Sequence, residues 1–154
     1  MIAAVAANPT FSKQLKVPFY GAQAYSQQFL KLAGSAANGT IIGISYDIVE
    51  GGVPATQTFA QWYARSAPGL DPDFFAIMGW TAAELCVQGL QAAGGAPTRD
   101  SVTNALKQIH FFDAGGMLVP RDPAGKSLQQ SFLIAGVKNG KWTRIYPATG
   151  FANG

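Results

Sequence analysis

The stretch from Asp71 to Gly95, DPDFFAIMGWTAAELCVQGLQAAGG, is the longest uninterrupted apolar pattern in the chain and constrains the fold most. Its punctuation predicts a helix. Asp71 is placed to cap it, Pro72 stands at the first helical position where its missing N–H costs nothing, and Asp73 sets negative charge near the positive end of the macrodipole. Gly94-Gly95 stops it. Between these signals Phe74, Phe75, Ile77, Met78, Trp80, Leu85, Cys86, Val87 and Leu90 cover more than one face, so a buried helix is expected, packed on two sides and lying on a sheet. Glu84, Gln88 and Gln91 interrupt the apolar run before the ~20 residues that a bilayer span demands.

That helix needs cover, and the composition says much of the chain does too. Charged residues are 12% of the sequence, about half the usual share, while 48% are apolar, which hints at partner surface outside these residues. With 154 residues there is room for one ordinary domain or for two incomplete lobes of something larger. The net charge of +3 comes from basic residues scattered from Lys13 to Arg144 with no run or stripe, so no nucleic-acid partner is expected. Cys86 is alone inside the apolar helix and reads as a small buried hydrophobe, with no internal disulfide to form. The start, MIAAVAANPT, lacks the basic region and long apolar core of a secretory signal, so no export address is expected within this chain.

Along the chain, Ile2 to Ala7 reads as the end of a helix and Phe11 to Leu15 as one more turn. Val17-Pro18-Phe19-Tyr20 reads as a short strand ended by Gly21, and the loop to Ser26 then lies at a strand's C-terminal end, where open α/β sheets bind ligands. Ser26 caps a helix through Leu32 that ends at Gly34. Asn38-Gly39 turns into a strand from Thr40 to Tyr46, apolar on both faces as parallel strands are. Asp47 to Pro54, with Gly51-Gly52, reads as a connector or hinge, and Ala55 to Ala64 as an amphipathic helix with Phe59, Trp62 and Tyr63 inward. Beyond the long helix, Thr98 caps another bearing Val102, Ala105, Leu106 and Ile109, and Phe111 to Gly116 is a second connector. Antiparallel elements follow: Met117 to Val119, a turn from Pro120 to Gly125, a strand from Leu128 to Val137, and a return from Lys141 to Tyr146 across the Asn139-Gly140 hairpin signal.

Chemistry-bearing constellations are sparse. Gly125-Lys126-Ser127 resembles the end of a phosphate loop, but Pro120 stands where the loop needs its first glycine, and a plain turn is the better reading. His110 is the sole histidine, so sites built on paired imidazoles are excluded, and no metal or cofactor is expected. A Ser26, His110, Asp113 triad can be assembled from the inventory, yet no elbow glycines flank Ser26, and a small α/β enzyme using the Gln23 to Ser26 loop is the weakest reading. The aromatics carry more. Gln23 and Tyr25 in the strand-end loop, with Phe75 in the first turn of the long helix, form a candidate ligand-binding set: an orienting amide in an otherwise apolar cleft.

Taken in order, the GAQAYS loop, FLKLAG, NGTIIGISY, the connector, TFAQWYARSAPGLDPDFFAIMGWTAAEL, QAAGG, TRDSVTNALKQI, a phenylalanine-rich link to Gly115-Gly116, DPAGK and VKNGKW resemble the C-terminal part of a type I periplasmic binding protein. That family supplies the substrate-binding component of branched-chain amino acid type ABC transporters. The resemblance implies an α/β fold with Rossmann-like lobes, here an incomplete two-lobe fragment with a C-terminal β-hairpin. It divides the chain into 1–46 of the second lobe, a hinge connector 47–54, 55–110 of the first lobe, a connector 111–116, and a return to the second lobe over 117–154. It implies a non-enzymatic protein whose complete form captures an amino acid, amide or aromatic acid between two lobes, outside the cytoplasm, in the periplasm or as a cell-surface lipoprotein. Its partners would be that small molecule, a membrane permease and the missing N-terminal lobe segments. Gln23 stands where amino-acid-binding relatives carry an acidic residue for the ammonium group, and a neutral amide does not compensate a buried cation. Phe75 matches a position that lines the cleft, while Gly79-Trp80-Thr81-Ala82 departs from a common Gly-Tyr-Asp-Ala pattern. A ligand-sensing regulator or receptor domain of the same fold, of the amide-sensor type, is the alternative. Alone, the chain is expected to self-associate through sheet edges and helix faces meant for absent strands.

Overall fold

In the computed structural model, the structure describes residues 17–125 and 131–153. The expectations for Ile2 to Leu15, for Lys126-Ser127 and for the first residues of the Leu128 strand lie outside them.

One sheet organises the first and last parts of the chain. β1 (Phe19–Tyr20) pairs in parallel with β2 (Ile41–Ile44), Phe19 against Ile41 and Tyr20 against Ile42. β2 pairs antiparallel with β3 (Ser131–Lys138), and β3 with β4 (Lys141–Tyr146), giving the order β1-β2-β3-β4. A two-residue β5 (Ala152–Asn153) pairs with the start of β3. The β3–β4 turn has Asn139 at φ 53° and Gly140 at φ 72°, the double left-handed conformation of a type I′ hairpin, as the Asn-Gly pair predicts. Both N-terminal strands are shorter than their apolar runs. The continuous apolar pattern of Thr40 to Tyr46 suits a strand with parallel neighbours on both sides; here β2 has β1 on one edge and antiparallel β3 on the other.

Helix α1 (Gln27–Ala33) covers one face of this sheet. Ser26 Oγ accepts from Phe29 N at 3.0 Å, the predicted cap, and Gly34 ends the helix with φ 55°. Beneath it Ile42, Ile44, Leu133, Ala135, Val137 and Trp142 form the core, with Phe29 and Tyr25 packed at a tilt against the Trp142 ring at 5.5 and 5.6 Å. On the opposite face Phe19 and Ile145 are exposed. Gly136 lies where β3 passes closest to Thr40: a Cβ there would meet Thr40 O and Ile145 Cδ1, each at 2.6 Å.

Three helices form the other body of contacts: α2 (Pro54–Ser66), α3 (Phe74–Ala93) and α4 (Arg99–Leu106). The cap of α3 is Asp73 rather than Asp71, its carboxylate accepting from Ala76 N at 2.9 Å; Pro72 therefore stands outside the helix, in the extended approach that proline favours. Gly94 ends α3 as expected, and Thr98 with Ser101 forms a reciprocal capping box on α4. Trp80 of α3 meets Phe59 and Trp62 of α2 at 5.5 and 5.0 Å. Farther along, α4 crosses α3 so closely that a Cβ on Gly89 would sit 2.7 Å from the Leu106 side chain.

The burial expected of α3 is not found. Ile77, Thr81 and Gly89 are buried, while Phe75, Cys86, Val87 and Leu90 are exposed, and among the described residues no strand lies beneath the helix. Trp62 of α2, expected inward, is 46% exposed, its ring packed against Trp80. Apolar periodicity reports which surface requires cover, and these residues lack the second layer that would cover it. Among the described residues no helix is long and apolar enough to cross a membrane.

Two segments join the sheet to the helices, and they run side by side at their sheet ends, residues 45–47 against 117–119. Tyr46 and Leu118 form a bridge, Asp47 N donates to Met117 O at 2.7 Å and Val119 N to Ser45 O at 2.9 Å. Met117 to Val119, expected as a strand, thus forms only this bridge. Its neighbours Gly115 and Gly116 adopt φ of 67° and 89°, which carries the chain past Ala55 and Val53 without side chains in the way.

Candidate functional site

The loop after β1 is a single 3-10 turn, Ala22–Ala24, at the C-terminal end of that strand. Every side of it is held. Within the loop Ala24 N donates to Gly21 O and Tyr25 N to Ala22 O. From just past β2 the Tyr46 hydroxyl donates to Ala22 O at 2.9 Å, and from α3 Phe74 N donates to Tyr25 O at 3.2 Å. The loop is therefore fixed to the strand beside it and to the first turn of the helix arriving from the other body.

Gln23 is the exposed tip of this turn. Its side chain folds back over Gly21, where a Cβ would sit 2.7 Å from Oε1, so the absence of a side chain at position 21 sets where the amide rests. Phe75 is 67% exposed, with its ring edge-on to Phe74 at 5.0 Å, and Phe74 in turn packs on Tyr46 at 5.6 Å. Gln23 and Phe75 are thus accessible on adjoining elements.

Tyr25 is placed differently. It is 2% exposed, turned into the core against Tyr46 and Trp142, and its hydroxyl donates to Glu50 Oε2 at 2.8 Å while accepting from Val49 N at 2.9 Å. Burial first, and then the Glu50 charge, push its phenol well above the ordinary range; burial and Asp73 do the same for Tyr46. Both phenols stay protonated at any physiological pH, working as struts with polar ends.

The serine, histidine and aspartate of the imagined triad are each engaged elsewhere. Ser26 Oγ caps α1, His110 Nδ1 lies 3.2 Å from Asp122 Oδ2, and Asp113 Oδ1 accepts from Gly115 N. Among the described residues no cluster of His, Cys, Asp and Glu could hold a metal ion. Two open depressions lie away from Gln23 and Phe75. One of about 630 Å³ runs beside β4 between Gln27, Glu50 and Lys141; the other, about 500 Å³ and apolar, lies between Ala55, Trp80, Val87 and Gly115.

Asp47 and Arg144 were not singled out from the sequence as site residues. Their side chains are 0% and 7% exposed and meet at 2.7 Å between the first connector and β4. The signal was the aspartate itself, a charge set directly after an apolar strand with no solvent-facing reason to be there.

The comparisons agree with this architecture. The chain matches the periplasmic binding protein family over residues 1–141. No curated protein matches it. A fatty acid ABC transporter substrate-binding protein from Thermomonospora curvata has a similar structure at TM-score 0.74 and 22% identity, covering 93% of this chain and 38% of that one. A leucine binding protein from Thermotoga maritima aligns at TM-score 0.64 and 18% identity, over 94% of this chain and 40% of that one. A branched chain amino acid ABC transporter from Thermus thermophilus, with bound valine, aligns at TM-score 0.69 and 16% identity, over 93% and 41%. The chain therefore spans less than half the length of these solved structures, and the likeness to them is one of fold. With the family match extending over most of its residues, this chain belongs to the periplasmic binding protein family.

Proposed function

We propose that the protein carrying these residues is the solute-binding component of an ABC importer, active outside the cytoplasm, which delivers a small molecule to a membrane permease. The family is one of solute-binding proteins rather than enzymes. In this reading residues 1–46 and 117–154 belong to one lobe, 55–110 to the other, and 47–54 and 111–116 are the hinge connectors between them. Ligand contacts to both lobes favour the closed state over the open one, and that differential affinity is the mechanism.

The observation that carries the reading is the fixed turn at the end of β1, which exposes Gln23 and is bonded through Tyr25 O to the first turn of α3, where Phe75 is exposed. Gln23 offers a neutral donor and acceptor, Phe75 an apolar wall, and Tyr25 braces the loop from behind. A neutral amide suits a ligand polar group that carries no uncompensated positive charge, such as an amide or a carboxylate on an apolar or aromatic body. Amino acids and fatty acids, which the similar proteins' names record, belong in the same screen.

The test is a calorimetric panel of amino acids, aliphatic amides, aromatic acids and fatty acids against the gene product that contains these residues. Phe75→Ala is expected to weaken the bound member about tenfold or more, from the apolar area lost, and Gln23→Ala by about 2–10-fold. Gly21→Ala, which displaces the Gln23 amide without touching the core, is expected to act like Gln23→Ala. Silence across the panel, or binding indifferent to all three changes, would count against the assignment.

A further inference from the structure

Asp47 has a buried carboxylate that the surface at Gln23 and Phe75 does not use. Its Oδ1 accepts from Arg144 Nη1 at 2.7 Å, and its Oδ2 accepts from Val53 N and Thr56 Oγ1, both at 3.4 Å. Arg144 is held in turn, donating from Nε to Pro147 O at 2.7 Å and from Nη2 to Gly150 O. A Cβ on Gly51 would overlap the carboxylate, so that connector glycine makes the space Asp47 occupies. The Asp47 backbone N–H reaches Met117 O, the first residue past the second connector.

From the start of the first connector, one residue thus reaches β4, Val53 at that connector's far end, the first turn of α2 and the chain at Met117. The two sides of the carboxylate are unequal. Arg144 contributes a short, charge-assisted contact from a guanidinium that two backbone carbonyls also hold, whereas Val53 and Thr56 approach at the limit of hydrogen bonding. The sheet side is the fixed side, and the α2 side is the one that a movement of a few tenths of an ångström makes or breaks. A carboxylate out of water cannot leave an oxygen unpartnered without cost, so the position of α2 relative to the sheet feeds directly into the energy of this group.

We propose that Asp47 is a positioning residue for ligand capture, its carboxylate anchored by Arg144 to the sheet and holding the start of α2 through Thr56 and Val53, so that it sets the resting angle between the two bodies. This rests on the reading of residues 47–54 and 111–116 as hinge connectors. It places a determinant of affinity outside the ligand-contacting surface, because any shift in the ligand-free open and closed populations changes apparent affinity in proportion.

The test needs no ligand. Spin labels on Lys138→Cys and Asn104→Cys, both exposed, in a Cys86→Ser background give the distance between the hairpin tip and α4 by pulsed electron spin resonance on the intact chain. Thr56→Val, which removes one hydrogen bond to the carboxylate and keeps the shape, is expected to shift the ratio of distance populations about tenfold. Asp47→Asn is expected to shift it in the same direction. Thr58→Val, whose hydroxyl donates to Pro54 O on the same helix, is the matched control and should leave the distribution unchanged. A merely structural role would lower the melting temperature and leave the distances in place. Wild-type distances in folded Thr56→Val would overturn the proposal, and that variant decides the matter if Asp47→Asn does not fold. Failure of the ligand panel would remove the transport reading and leave this distance result standing.

Discussion

Replacing Tyr25 with phenylalanine isolates what holds the strand-end loop. The ring contacts with Trp142 and Tyr46 stay, and only the hydroxyl is lost, with its donor bond to Glu50 and its acceptor role toward Val49 N. Glu50 is exposed and returns to water at little cost. Val49 N–H is left without an acceptor, which costs about 1–3 kcal/mol, and the net loss is set near 2 kcal/mol on the same basis. With a urea slope of ~1–3 kcal/mol per molar for a domain of this size, the unfolding midpoint should fall by about 1 M. Tryptophan fluorescence reads it directly, since Trp142 packs against the altered ring. Linkage provides a second arm. The folded phenol is raised above its ordinary 10.0, so its contribution is complete below pH 10 and lost as pH climbs further, while phenylalanine has nothing to titrate. The gap between wild type and variant should therefore narrow above pH 10. A difference below ~0.5 kcal/mol at pH 7, or a gap constant with pH, would refute the strut role.

Gly136→Ala should force β3 away from Thr40 O, costing about 1–3 kcal/mol and lowering the melting temperature by roughly 3–10 °C, as scanning calorimetry would show. For Asp47, burial raises the carboxyl above its ordinary 3.8 with Arg144 partly opposing, so its contribution is complete below that value and lost as pH rises through the raised one. Denaturant titrations across the acid range should show wild type losing ground to Asp47→Asn in the window just above pH 3.8. Val87→Glu with Leu90→Lys, on the uncovered side of α3, should reduce concentration-dependent association in sedimentation velocity. Unchanged association would place the contact elsewhere.

Local signals in the sequence were legible wherever a residue satisfies its own backbone. Ser26, Thr98, Gly94 and Asn139-Gly140 each bound or turn an element where the spacing predicts, because caps and type I′ turns involve only neighbouring residues. The cap of α3 slipped by two positions because two aspartates flank Pro72 and both suit the role. Burial was less legible. Cys86, Val87 and Trp62 have the side chains of a core, and only the contacts available decide whether they are in one. For the candidate site, the loop could be located from the end of β1, but the direction of Tyr25 could not. That depends on Glu50 and Val49, two dozen residues away, and on Trp142 from the far end of the chain. The same distance hid Arg144, which acquires its meaning from Asp47, 97 residues earlier.

The side-by-side course of the two segments joining sheet and helices has a mechanical consequence. Because Tyr46 faces Leu118 and Asp47 N–H reaches Met117 O, the two segments are tied together at the sheet end, and a twist starting there in one should be passed to the other. Under the proposed hinge reading, rotation of the helices against the sheet then has one soft coordinate where two free linkers would give several. A lesion in either segment should bend the molecule along the same arc.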